Sequence, residues 1–218
     1  MYTLPPFPRP SCSQPQISNT TLLSPQLLLA FPLFPSAVPR LSQISSQLGA
    51  NALSVMIDHP DQLLAAAAIA RTPGSHAPLV FIKIDAGYGR AGVVPGSTSC
   101  TQLINAVLEA EKAGACILHG VYCHAGHSYT ARQDWEAMHY LAAEFAGLHG
   151  VADYIRQKSP GHALVLSVGA TPTATSIQHP TFLGAAASVA DDAPTQEIER
   201  LFVELKAARF ALEVHAGV

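Results

Sequence analysis

The stretch FIKIDAGYGRAG, Phe81 to Gly92, sets a lysine, an aspartate and an arginine among three glycines. Lys83 and Asp85 share strand parity, so a strand running through them turns both side chains to one side. Two readings stand for that pair. One is an ion pair at a strand end; the other is an inward-facing pair at a barrel mouth with Arg90 reaching back over it. Arginine is always charged and donates to a ligand oxyanion. Gly87, Gly89 and Gly92 also carry the spacing of a dinucleotide-binding fingerprint, which requires a helix to open on the third glycine. Val93, Val94, Pro95 and Gly96 follow instead, and they favour extended chain and a turn. The glycines serve something other than a pyrophosphate.

HGVYCHAGHSY, His119 to Tyr129, packs three histidines and two tyrosines behind an apolar run. Neutral imidazoles make a metal site one reading. No H-x-H or H-x-x-x-H pair sits on a defined element, however. An aromatic and imidazole clamp for a flat ring is the second reading. A polar loop with satisfied side chains is the third.

LVLSVGATPTATS, from Leu164, leaves an apolar strand into Gly169, Thr171 and Pro172. Thr-Pro suits a helix start. Free backbone N–H groups at such a start suit a phosphate, and a plain capped helix is the alternative. Taken together, the three segments describe one ligand with a flat ring, an oxyanion and a phosphate. Pyridoxal phosphate has all three.

These segments need elements to carry them. Strand patterns run over 27–31, 52–57, 79–85, 116–122, 163–168 and 209–214, with helical patterns near 36–48, 60–71, 98–114, 131–158 and 194–208. Strand and helix alternating in this rhythm mean parallel α/β. Polar residues follow strand after strand, which favours a (β/α) barrel with its site at the C-terminal strand ends over a doubly wound sheet. Six strands fall short of the eight of a closed barrel. Residues 1–24, rich in Pro, Ser and Gln, read as a loosely attached leader, and 25–218 as a partial barrel.

The bulk numbers exclude some partners. A net charge of −3 with only 12 Lys and Arg offers no basic face for nucleic acid. The longest apolar run, Leu63 to Ala70, is too short for a membrane span. Prolines interrupt the segment where a secretory signal would need unbroken apolar residues. Cys12, Cys100, Cys116 and Cys123 form no C-x-x-C pair, so reduced thiols in a cytoplasmic protein are expected.

FIKIDAGYGRAGV, GVYCHAGHSY and LSVGATPT, with LLLAFPLFPSAVPRL (27–41) and VMIDHPDQL (55–63), resemble the D-serine dehydratase family, a relative of D-threonine aldolase and alanine racemase. The resemblance covers residue 27 to the end. It implies a TIM-like barrel of the alanine racemase N-terminal type that holds pyridoxal phosphate, followed by a second β domain. It implies that Arg90 contacts the phenolic oxygen of the cofactor and that His124 lies against its ring. Tyr122 and Tyr129 stand at the cofactor by the same likeness, and Gly169 and Thr171 fall at the phosphate turn. The implied activity is a lyase converting D-serine to pyruvate and ammonia, with a D-threonine-aldolase-like reaction as the alternative. A homodimer is left open.

Departures qualify the likeness. The family carries its Schiff-base lysine on a first barrel strand upstream of LLLAF, where this chain has no lysine; its four lysines are Lys83, Lys112, Lys158 and Lys206. Lys83 matches a different family lysine and is expected not to form the imine, so no catalytic lysine is assigned. EVHAGV resembles the strand leading into the β domain, and the family's zinc-binding His and Cys lie beyond it. The expectation is a barrel lacking its first strand and its C-terminal β domain, with zinc ligands absent. Two further readings stand beside the lyase: a non-catalytic relative, and a metal-dependent hydrolase using Asp85, His119, His124 and His127.

Overall fold

Short apolar runs that end at a polar residue or a glycine become parallel strands, and the amphipathic stretches between them become the helices that cover one sheet face. The computed structural model describes residues 27–176 and 193–215; the leader expected over 1–24 lies outside them. The strands are β1 (Leu27–Pro32), β2 (Leu53–Ile57), β3 (Leu79–Ile84), β4 (Ile117–Cys123), β5 (Val165–Val168) and β6 (Ala211–Val214). The helices are α1 (Val38–Leu48), α2 (Gln62–Arg71), α3 (Thr98–Lys112), α4 (Asp134–Lys158), α5 (Thr171–Ser176) and α6 (Ala193–Ala207). Each strand pairs in parallel with the next, in the order β1-β2-β3-β4-β5-β6. Spatial order equal to chain order is the barrel arrangement, since a doubly wound sheet reverses direction at a switch point.

The two sheet faces divide by residue parity. Val55, Ile57, Val80, Ile82, Val121 and Leu166 face the helices and join the main core with Leu103, Leu141 and Phe145. Each such side chain contributes about 1.5–3 kcal/mol by leaving water. The opposite, inner face carries a smaller cluster of Met56, Phe81 and Tyr122. β2 and β3 are buried along their whole length, whereas every residue of β6 is exposed. Among the described residues β1 and β6 each have a strand neighbour on one side only.

Three helix starts differ from the sequence expectation. α2 opens at Gln62, not at Pro60, because Gln62 folds back: its Oε1 accepts from the Asp58 and His59 amides at 2.7 and 3.1 Å. α4 opens at Asp134 behind a capping box of Gln133 and Glu136, and Gly126–Thr130 forms a separate 3-10 turn. Thr171 is the first residue of α5, not its cap. Among the described residues no helix is long and apolar enough to cross a membrane.

Candidate functional site

The glycine-rich loop after β3 is held by two carboxylates. The Asp85 carboxylate accepts from the Gly87 and Gly89 amides, each at 3.0 Å. Asp58, at the end of β2, accepts from the Gly92 amide at 3.1 Å through Oδ2 and from Gln62 Nε2 at 2.9 Å through Oδ1. Gly92 has φ +112°, and a Cβ there would stand 2.8 Å from Asp85 N and Ile84 C. Only glycine lets the chain cross so close to the strand end. The loop thereby returns Arg90 to the sheet. Neither reading of Lys83 with Asp85 as a pair holds. β3 ends at Ile84, parity stops there, and Asp85 turns to the loop amides while Lys83 faces inward.

A cavity of about 570 Å³ opens at the C-terminal ends of β1 to β4. Lys83, Arg90, Tyr122 and His124 line it with Met56 and Asp58, and Phe31 and Pro32 of β1 form another wall. Lys83 Nζ lies 4.5 Å above the centre of the Tyr122 ring. Burial lowers the Lys83 pKa to about 8, and the nearby Arg90 charge adds to the effect. Burial likewise raises the Tyr122 phenol, so it stays protonated. The Arg90 guanidinium stands 5.3 Å over the Tyr88 ring.

His124 marks the border between this cavity and the end of β5. Its Nδ1 lies 2.8 Å from the Gly169 carbonyl oxygen. A carbonyl only accepts, so Nδ1 carries the proton, and the neutral ring keeps a lone pair on Nε2. Burial lowers the His124 pKa and favours that neutral form. The Tyr129 hydroxyl lies 3.1 Å from Thr171 Oγ1, and the Thr171 amide reaches it at 3.4 Å. Gly169 has φ +141°, and a Cβ would meet the His215 carbonyl oxygen at 2.0 Å, so the end of β5 lies against His215. The Gly169 amide donates to Glu144 Oε1 at 3.4 Å, and the Ala170 amide to Thr173 Oγ1 at 2.7 Å. Gly169 thus gives this turn its shape while its amide serves Glu144.

Of the six expected site residues, Arg90, Tyr122 and His124 line one cavity. Tyr129, Gly169 and Thr171 adjoin it through His124 and its bond to Gly169. The residues of the metal reading take separate partners. His119 packs edge-on against Phe81, His127 sits between Tyr88 and Tyr140, and Asp85 holds the glycine loop. Among the described residues no group of three His, Cys, Asp or Glu is placed to hold a metal. Cys116 and Cys123 are buried thiols pushed up to about 12 by that burial, which leaves them unreactive.

Sequence reasoning missed Asp58, Glu144 and His215. Asp58 follows an apolar strand as His124 does, and the same logic could have found it. His215 follows β6 in the same way. It stacks on Tyr122 at 4.2 Å between ring centres, and its Nδ1 lies 3.0 Å from Ser167 Oγ, which donates to Glu213 at 3.2 Å. Burial, with His124 and Lys83 nearby, lowers the His215 pKa to about 4. Glu144 is a lone acid inside a long helix, and nothing in its spacing distinguishes it.

Residues 36–184 match the family described as alanine racemase, N-terminal domain. The chain therefore belongs to that family, within the fold-type III pyridoxal-phosphate group. Its likeness runs to the D-serine dehydratases. It is 34% identical to D-serine dehydratase of Schizosaccharomyces pombe over 186 residues, 82% of this chain and 44% of the relative. It is 32% identical to the Dictyostelium discoideum D-serine dehydratase over 158 residues, 70% of this chain and 39% of the relative. The solved D-threo-3-hydroxyaspartate dehydratase from Delftia sp. HT23 superposes with a TM-score of 0.61 at 28% identity, over 88% of this chain and 41% of that one. The chain spans less than half the length of the relatives it matches.

Proposed function

We propose that this chain is the cofactor-binding barrel of a pyridoxal-phosphate-dependent lyase acting on D-hydroxyamino acids, D-serine first. The observation that carries the reading is the 570 Å³ cavity that Arg90, Tyr122, His124 and Lys83 share. Cavities of about 300–1,000 Å³ with a few convergent polar groups suit a small ring ligand. The donor set fits pyridoxal phosphate: a permanent cation for the phenolic oxygen, flat aromatic and imidazole surfaces for the ring, and hydroxyls for the phosphate. When bound, this cofactor supplies an electron sink for the carbon next to the amine.

The chain's own residues do the rest. Arg90 donates to the ring oxyanion and fixes the ring's direction. His124, held by Gly169, presents a neutral face that supports the ring without adding charge. Tyr129 and Thr171, whose hydroxyls bond each other at the rim, turn to the phosphate. Lys83 Nζ, with its pKa near 8, holds or releases a proton close to neutral pH. A second reading, a cofactor-binding relative without turnover, is favoured by the lack of a lysine in this chain's residues upstream of LLLAF, where the resemblance would place the imine lysine.

The test is pyruvate release from D-serine by the chain in the presence of added pyridoxal phosphate, with L-serine as the control. Release from D-serine and not from L-serine is the expected result. Equal release from both, or none from a cofactor-saturated chain, rules out the lyase, and the latter result leaves the binding-only reading.

A further inference from the structure

Glu144 is wholly buried in the middle of α4. A buried carboxyl is destabilising unless hydrogen bonds offset the loss of water. Its Oε1 accepts from two backbone amides that belong to different strand ends: Ala125, directly after His124, at 2.8 Å, and Gly169 at 3.4 Å. Among the described residues no lysine or arginine pairs with it within salt-bridge distance. Burial raises its pKa, and the Ala125 amide, the Thr173 hydroxyl, the Gly169 amide and, last, the Lys83 charge oppose that rise.

One oxygen atom therefore ties the end of β4 to the end of β5 from behind. In front, His124 Nδ1 ties the same two ends through the Gly169 carbonyl. Gly169 is thus held on both sides of its Cα: the amide of the 168–169 peptide by Glu144, the carbonyl of the 169–170 peptide by His124. If Oε1 withdraws, the ends of β4 and β5 lose the tie that sets their spacing at the back, and the Gly169 carbonyl, its peptide still held by the Ala170 amide on Thr173, moves away from His124 Nδ1.

We propose that Glu144 is a positioning residue for the cofactor site, and that it acts as a two-amide acceptor and not as a charge. By holding the Ala125 and Gly169 amides it sets the spacing of the two strand ends at which the Gly169 carbonyl meets His124 Nδ1, so that His124 stays neutral with its proton on Nδ1 and its ring aligned with the cavity. The proposal rests on the cofactor reading for its consequence, but the positioning itself is readable without any cofactor.

Three substitutions separate the elements of this role. Glu144→Gln keeps an oxygen at Oε1 and removes the charge. Glu144→Asp keeps the charge and withdraws the oxygen by one methylene. Glu144→Leu removes the acceptor. The first readout is the side-chain ¹⁵N spectrum of His124 in histidine-labelled, cofactor-free chain, assigned with a His124→Ala control. The second is the dissociation constant for pyridoxal phosphate by equilibrium dialysis.

We expect the wild type and Glu144→Gln to show the Nδ1–H tautomer and to agree in affinity within about twofold. We expect Glu144→Asp and Glu144→Leu to lose that signature and to bind the cofactor about tenfold more weakly, as removal of outer-shell support does elsewhere. Should Glu144→Leu fail to fold, the Gln and Asp variants decide the matter. An unchanged His124 spectrum in Glu144→Asp overturns the proposal, as does loss of the signature in Glu144→Gln. If wild-type chain binds no pyridoxal phosphate, the cofactor reading fails, while the His124 spectra still judge the positioning.

Discussion

His124 Nδ1 and the Gly169 carbonyl oxygen lie 2.8 Å apart, a bond that spans 45 residues of chain and joins the ends of β4 and β5. Gly169 is buried, so its carbonyl has no ready substitute in water. Replacing His124 with alanine leaves that acceptor unsatisfied, which costs about 1–3 kcal/mol. Urea unfolding followed by circular dichroism checks this; an unchanged midpoint would mean that the carbonyl finds another donor.

Gly92→Ala tests the loop that returns Arg90 to the cavity. The new Cβ would stand 2.8 Å from backbone atoms of Ile84 and Asp85, at φ +112°. Backbone strain of this kind costs about 1–3 kcal/mol. Asp58 holds the same amide, so a shift of the loop also strains that hydrogen bond. The expected result is a lower melting temperature with the far-ultraviolet spectrum retained. A melting temperature equal to wild type would show that the close crossing is absent in solution.

The inner face also sets a pH profile. Lys83 falls from 10.5 to about 8, and His215 from 6.5 to about 4. In both, the folded state disfavours the charged form, so the unfolded chain binds more protons between the folded and unfolded pKa values. Stability therefore rises with pH in two windows, about 4 to 6.5 and about 8 to 10.5. Lys83→Met should remove the upper window and add up to about 3 kcal/mol below pH 8. Chemical denaturation across pH 7 to 11 measures it. An identical slope in the variant would contradict the buried amine.

The outer strands predict association. β1 carries no charge and exposes Leu27 and Phe31, and β6 exposes Leu212 and Val214 with Glu213 as its one charge. Unpaired, apolar strand edges recruit other chains, and a charged fraction of 12% gives little repulsion against this. Light scattering after size-exclusion chromatography should show mass rising with concentration, and Phe31→Lys with Val214→Lys should lower it. A wild-type mass that stays monomeric at all concentrations would show that these edges are already covered.

The architecture was legible because strand parity and helical periodicity leave strong marks: all six strand patterns became strands with ends shifted by one or two residues. Arg90, Tyr122 and His124 were legible for a related reason, since each belongs to a polar motif at the end of an apolar run. What remained hidden depended on contacts across the fold. Asp85 appeared to pair with Lys83 because spacing cannot reveal that β3 stops one residue short of it. Glu144 carried no local mark because its partners, the Ala125 and Gly169 amides, lie 19 and 25 residues away. The Gly169 amide looked free for a phosphate because the sequence does not show the acid that takes it.

The most direct measurement is equilibrium dialysis of pyridoxal phosphate against wild-type chain, Arg90→Met and Tyr122→Ala. Arg90 is exposed at the cavity, and among the described residues no backbone hydrogen bond uses its side chain, so its variant reports on the ligand; Tyr122 also packs against Met56, Phe81 and His215, so its variant is read together with its melting temperature. The account predicts saturable one-to-one binding by the wild type. It predicts a loss of about tenfold or more in Arg90→Met, the worth of one charge-assisted hydrogen bond, and weaker binding in Tyr122→Ala. Absence of saturable binding, or equal affinity in all three proteins, would contradict it.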